Sequence, residues 1–496
     1  MPAEYTEKSL LKYTEKVMEM FKNPKNIGEM ENPTVTADEG DIQCGDMFRM
    51  FLKIENNKIV DAKFLSYGCL PPDEYVLVYP GEWKRISTLG VGEATIDSDG
   101  KRNFVAETSA RDYNGNLLKI VPFVSTFNSF SLTPEHPVLC VKREWLDSSR
   151  KSGNKCVWLR VDKEELPSVK PKFIKAKYLA EGDYLIFVPN SKTEDSKKYT
   201  TDIMKLLGFY ISEGYTTAND RILAFAFNRE ETGNISEVKT LLERVTNKKP
   251  KCRVRGNVAE VYICSTKWAG FFVSVGGKYA TGKKLAEEVL LLPFKKQWEM
   301  IKTYLKGDGS VYRMKETHSW VYRIDTRSKE LAIQTQEILA RGGILSYIKK
   351  SKRPASIIDG RKIRSNTNYN VAFQLKRKRK IVVPAKGYFL VPIRRVEKKN
   401  YIGKVYNFEV TNEPHSYLVR GFAVHNCAAN IATGAMTTEL VKGRTVEEAE
   451  KMKITEISEA LGGLPALKMH CAVLAYKTLK KALAEYRKIQ AGSKGT

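Results

Sequence analysis

The rhythm of apolar and polar positions changes several times along the 496 residues of the chain. Leu10, Val17, Met20 and Phe21 predict an amphipathic helix within residues 1–30, ending near Asn23-Pro24. The alternation Phe48, Met50, Leu52, Ile54 has strand period. With the Asn56-Asn57 turn and the run 59–67 it predicts a hairpin. From residue 69 to about 190, short Val-, Ile- and Phe-rich runs separated by Gly, Asp and Asn predict an all-β region. Residues 200–350 are mixed, with helical runs at 204–212 and 329–341, and 385–426 returns to strand texture. After Asn426 helices take over. One covers 431–440, and another follows His470, where Tyr476, Leu479, Leu483 and Tyr486 line one face. No tandem repeat with a period of 20–50 residues is present.

Charge follows the same divisions. Of the net +26, residues 69–426 carry +25 and the two flanks together +1. A charge of that size confined to one segment predicts phosphate-backbone binding, with a lysine-rich solubilising surface as the competing reading. Residues 351–390 are strongly basic (KSKRPAS, LKRKRK). The eight cysteines form no CxxC pair and are too sparse for a disulfide framework, so they read as free thiols, metal ligands or nucleophiles. No stretch approaches the ~20 apolar residues of a transmembrane helix. The N-terminus lacks a secretory h-region. A cytoplasmic protein with no membrane partner is expected.

The left flank ends KIVDAKFLSYG, a strand, and the right flank begins CAANIATGAMTTELVKG, a small-residue helix start. Joined, they read strand, glycine turn, helix, in a chain of 138 residues, an ordinary single-domain length. The joined sequence carries Tyr13 followed by FKNPKNIG (21–28), Cys44-Gly45-Asp46, the YGC junction, VKGRTVEEA (441–449), LGGLPALK (461–468) and His470-Cys471. With these features it resembles the IscU/NifU-N iron–sulfur scaffold family along its whole length. The resemblance implies an α+β scaffold that binds and transfers a cluster of the 2Fe-2S type. Cys44, Cys427 and Cys471 would be ligands, with Asp46 or His470 as the fourth. Thiolates suit such a cluster and also Zn²⁺, the competing ion. The implied partners are a sulfur donor such as a cysteine desulfurase, an iron source and acceptor apo-proteins. A homo-oligomer is among the states open to the scaffold. LPALK resembles the family's chaperone-recognition segment, with Ala466 where a second proline is usual. Because 358 residues separate Gly68 from Cys427, the uncut chain is expected to be a poor scaffold.

Cys69, Asn426 and Cys427 stand where self-excision needs them. The Cys69 sulfur can attack the Gly68 carbonyl, turning an amide into a thioester. Cys427 can take over the acyl group, and the Asn426 amide can cyclise onto its own carbonyl and release the middle. Thr133 and His136 (in TPEH), His415 and His425 are the candidate proton movers and donors. CLPPDEYVLV (69–78), SLTPEHPVL (131–139), VYNFEVTNEPHSYLV (405–419) and AVHNC (423–427) resemble the splicing blocks of inteins, with Asn407 where Asp is frequent. That resemblance implies an all-β HINT fold built from both ends of the segment, needing no cofactor.

Residues 196–384 exceed what splicing requires. LLGFYISEG (206–214) and IKTYLKGDG (301–309) resemble the LAGLIDADG homing endonuclease motif, the second departing at Thr303 and Lys306. The resemblance implies an α/β domain in which two such helices pack side by side. Glu213 and Asp308 would sit at their ends and bind Mg²⁺, and double-stranded DNA at a homing site would be the partner. SKELAIQTQEILARGGI (328–344) resembles the helix after the second motif, and GKK (282–284) offers a catalytic or phosphate-binding lysine. The expected organisation is therefore multidomain. Residues 1–68 and 427–496 form the scaffold, 69–195 and 385–426 the splicing domain, and 196–384 the endonuclease. The competing reading is an unspliced metal-binding scaffold with an inert basic DNA-binding insertion.

Overall fold

The computed structural model describes residues 14–40, 47–65, 68–146, 163–217, 219–315, 318–358, 361–363, 365–376, 381–412, 414–425, 428–465 and 468–493. Of the residues singled out above, Leu10, Tyr13, Cys44, Gly45, Asp46, Asn426, Cys427 and Ala466 lie outside them.

The expected hairpin forms. Strands Met47–Glu55 and Lys58–Leu65 pair antiparallel, with Asn56 and Asn57 both at positive φ, as a tight hairpin turn between twisted strands requires. Strand Val35–Gly40 adds a third strand beside the first. Helices Ala428–Val441 and Met469–Ser493, from the far end of the chain, pack on this sheet. One hydrophobic core joins Val17, Phe48 and Phe64 to Ala435, Leu479 and Leu483. Phe48 and Phe64 stack with ring centroids 5.2 Å apart. Gly434 lies so close to both rings that a Cβ there would sit 2.3–2.5 Å from them. Both flanks thus share one core across the 358-residue separation, although the strand–turn–helix is interrupted.

The segment that follows Gly68 is β-rich, as its texture predicts. Two long strands, Arg102–Pro122 and Tyr388–Val410, pair antiparallel from Val105–Val410 to Pro122–Ile393. They belong to a 12-stranded sheet drawn from both ends of the middle segment. The hairpin Ser416–Val419/Phe422–His425 joins the same sheet, and Leu70 forms a bridge with Tyr406.

Between these parts lie two antiparallel four-stranded sheets. Helix Thr201–Ser212 leads into strand Gly214–Thr216, and helix Phe294–Asp308 into strand Gly309–Arg313. Both sheets have the order first–second–fourth–third. This is an internal repeat, and its copies are too long for the 20–50-residue period sought in the sequence. The core is continuous between this unit and the β-rich one: Leu77, Trp83 and Tyr184 cluster with Leu206, Met300 and Leu331. Among the described residues, no helix is long and apolar enough to cross a membrane.

Candidate functional site

Three places in the fold gather chemically capable side chains. The first surrounds the Gly68–Cys69 bond. Cys69 is 4% exposed. Its N–H donates to Thr133 Oγ1 at 2.9 Å, and its carbonyl accepts from Thr133 N at 3.0 Å. The TPEH turn is itself fixed by His136 N donating to Thr133 O and by Ala176 N donating to His136 O. His136 is fully buried, and burial pushes its imidazole down to about 3, assisted by His425 nearby. The ring is therefore neutral at ordinary pH and able to accept a proton. It lies directly over Gly68, where a Cβ would fall 1.9 Å from His136 Cγ and 2.3 Å from His136 Cα. Only glycine leaves room there.

The C-terminal end of the middle segment comes to the same place. Val424 pairs with Val138, which aligns the strand carrying His425 beside the one that follows His136. His425 packs edge-on to Phe173 at 4.9 Å. His415 precedes Ser416, the strand partner of His425, and its Nδ1 is 2.8 Å from Glu409 Oε1, both side chains being 1% exposed. The carboxylate fixes which ring nitrogen carries the proton. Asn407 is buried, and its Oδ1 accepts from Phe408 N at 2.9 Å. Thr133, His136, His415 and His425 thus converge on one region. Glu409 and Tyr417 went unnoticed in the sequence because each reads as an ordinary strand position. The available cue was an acid set between apolar Phe408 and Val410.

The second place is the seam of the two helices. Gly208 faces Thr303 and the Met300 carbonyl, and Gly307 faces Ser212. Thr303, a departure from the motif, is accommodated: its Oγ1 donates across the seam to Lys205 O at 2.8 Å. Glu213 and Asp308, at the two helix ends, line one cleft of about 460 Å³ together with Lys283, Lys278, Asp325 and Arg327. Burial, with Glu231 nearby, pushes the Glu213 carboxyl up to about 7. Burial pulls Lys283 down to about 7, against the opposing pull of Asp308. Lys283 Nζ donates to Tyr210 O and Gly214 O at 2.7 and 2.9 Å, so it ties together the backbone on both sides of Glu213. The GKK lysine expected from the sequence is in the site. Two carboxylates beside cationic groups form a hard-oxygen donor set suited to Mg²⁺.

The third place is the start of helix Met469–Ser493. Cys471 is buried, with Sγ 3.3 Å from His470 Nε2, and it packs on Ala429. Ala429 is two residues beyond Cys427 in the sequence. Cys44, Asp46 and Cys427 are outside the described residues, as is Asn426 at the downstream junction.

The family model for the NifU-like N terminal domain matches residues 12–71 and 417–493. The LAGLIDADG-like domain model matches 295–371. An iron–sulfur cluster assembly SufBD family protein of Mycobacterium tuberculosis is 29% identical over 422 residues, covering 82% of this chain and 46% of that protein. The chain spans about half the length of such relatives. The iron–sulfur cluster assembly scaffold protein IscU 1 of Archaeoglobus fulgidus is 51% identical over 65 residues, 13% of this chain and 42% of that one. Among solved structures, mesophilic variants of the homing endonuclease I-DmoI match at 17% identity over 36% of this chain and 85% of theirs, with a TM-score of 0.25. A NifU-like N terminal domain, shared in part with IscU scaffold proteins, is thus split between the two ends of the chain, and a LAGLIDADG-like domain lies between its halves.

Proposed function

We propose that the chain is a precursor that excises residues 69–426 and joins Gly68 to Cys427, releasing a cytoplasmic iron–sulfur scaffold. The observation that carries this reading is the placement of Cys69, buried beside His136 and clamped at its amide by Thr133. It is supported by a host core made from both flanks. A relative from the SufBD family, aligned over most of this chain, also fits a middle segment that occurs in more than one host. The splicing domain on this reading is a HINT fold made of 69–195 and 385–426, with the endonuclease at 196–384.

The Cys69 sulfur attacks the Gly68 carbonyl and the Cys69 amide nitrogen leaves. Thr133 holds and twists that amide, and neutral His136 carries the thiol proton to the departing nitrogen. Cys427 then captures the acyl group. Asn426 cyclises, with His425 and the Glu409-oriented His415 moving protons, and an S-to-N shift restores the peptide bond. Cys427 afterwards joins Cys44 and Cys471, with Asp46 or His470, in holding the 2Fe-2S cargo. The cargo is received from a sulfur donor and an iron source and passed to acceptor proteins.

In the inserted domain, Glu213 and Asp308 would hold Mg²⁺, which when bound activates water and stabilises phosphate charge. The basic surface positions double-stranded DNA, and Lys283 fixes the backbone around Glu213. Denaturing mass analysis of the expressed wild-type chain tests the proposal. Products of 358 and 138 residues are expected. A persistent 496-residue chain would favour an unspliced scaffold with an inert insertion.

A further inference from the structure

Tyr417 is fully buried on the strand Ser416–Val419. Phe408 packs on its ring with centroids 4.2 Å apart, and His136 meets it edge-on at 6.2 Å. Its hydroxyl makes no hydrogen bond among the described residues. The His136 ring is hydrogen-bonded to the Cys69 backbone, while the Cys69 N–H is held by Thr133. An unpaired buried polar group costs about 1–3 kcal/mol. An orphaned hydroxyl packed against the His136 ring needs a reason, since phenylalanine at 417 would fill the same volume without the cost. Burial, reinforced by the Cys69 thiol, holds the Tyr417 hydroxyl protonated well beyond the ordinary range of tyrosine. At working pH it is a protonated hydroxyl able to donate, buried against His136 and within the electrostatic reach of Cys69.

We propose that the Tyr417 hydroxyl is a catalytic hydrogen-bond donor in the first splicing step, stabilising the charge that develops as the Cys69 sulfur attacks the Gly68 carbonyl. This rests on the splicing reading above. In the step, the Cys69 Sγ–Gly68 C bond forms and the Gly68 C–Cys69 N bond breaks. The thiol proton passes through His136 to the freed amine, with no net redox change. Tyr417 gives up no proton. It pairs with the developing anion, and its resting lack of a partner is the preorganisation of a donor kept for the transition state.

The test uses the full chain carrying Asn426→Ala and Cys427→Ala, which stalls after the first step. Hydroxylamine then cuts any thioester and releases residues 1–68. Tyr417→Phe should slow that release by about 100-fold, with the thermal midpoint unchanged or raised because an orphan hydroxyl is gone. An unchanged rate overturns the assignment. A slower rate accompanied by a lowered midpoint also overturns it, since that is the signature of a packing role. If the parent chain releases nothing with hydroxylamine while Cys69→Ala behaves identically, the splicing reading itself fails, and this inference with it.

Discussion

Replacing Gly208 by alanine probes the geometry on which the activity proposed for the inserted domain depends. A Cβ at 208 would lie 2.0 Å from Thr303 Oγ1, 2.3 Å from Met300 O and 2.9 Å from Tyr304 N. The hydroxyl can rotate away, at the loss of its bond to Lys205 O and about 1 kcal/mol. The carbonyl and amide are backbone and can retreat only if the helices separate by about 1 Å to reach ordinary contact distance. Overpacking of this kind costs about 1–3 kcal/mol. The larger effect is on the cleft. Glu213 and Asp308 each lie five residues beyond the contact, at the ends of the same two helices, so the displacement is carried to both acids. A 1 Å error in a catalytic constellation can cost about 10²-fold in rate. The assay is cleavage of a duplex encoding the joined 1–68/427–496 sequence in Mg²⁺, alongside urea unfolding. Gly233→Ala is the control: its Cβ would meet nothing within 4 Å, so it should be neutral or stabilising by up to about 1 kcal/mol. Wild-type cleavage and stability in Gly208→Ala would refute the close-packed seam.

Gly68→Ala drives a methyl into His136 and should slow splicing by at least about 10-fold, seen as accumulated 496-residue chain. Burial raises Glu213 to about 7, so its carboxylate forms only above that pH. The Mg²⁺ concentration giving half-maximal cleavage should rise by about tenfold per unit as pH falls below 7, and a flat profile from pH 5 to 8 would exclude Glu213 as a metal ligand. Glu337 is buried where Asn190 N donates to its Oε1, and burial raises its carboxyl to about 7. A folded value above the unfolded one gives stability that is complete below about 4.5 and lost as pH rises through 7. Glu337→Gln should therefore match wild type in urea at pH 4.5 and exceed it by on the order of 3 kcal/mol at pH 8.

Much of this was legible because local patterns carried it. The Asn56-Asn57 hairpin, the two seam helices and the helix bearing Tyr476, Leu479, Leu483 and Tyr486 all follow from period and turn chemistry. Thr133, His136, Glu213 and Asp308 stood out through motif spacing. What the sequence hid depends on long-range packing. Strand Arg102–Pro122 pairs with Tyr388–Val410 across almost 300 residues, and no local signal encodes that register. Glu409 and Tyr417 gain their meaning only when the chain brings them to His415 and His136. The role of Gly68 likewise comes from an imidazole 68 positions away. Thr303, which breaks the motif, is explained by the carbonyl of Lys205 on the facing helix.

The arrangement of cores bears on how the three parts depend on one another. The flanks already pack Phe48 and Phe64 against Ala435 and Leu479 with the middle in place. On the proposed reading, excision therefore completes a ligand set without having to create a fold, and the expected defect of the uncut chain narrows to its cluster site. The inserted domain is bound differently. Its helix Lys329–Arg341 reaches into the β-rich unit: Lys329 lies over the Tyr75 ring at 3.5 Å, and Gln336 Oε1 accepts from Asn128 Nδ2 at 3.0 Å. The same Asn128 amide donates to Arg420 O, at the turn of the hairpin carrying Tyr417 and His425, and Arg420 is held in turn by Glu74 at 2.9 Å. Residues that shape the junction thus rest on the inserted domain through buried, satisfied polar contacts, whose loss leaves orphaned groups in a shared core. The host tolerates the insertion because its core closes without it, whereas the two inserted units share a core and a hydrogen-bond chain, and so are constrained to keep each other's structure.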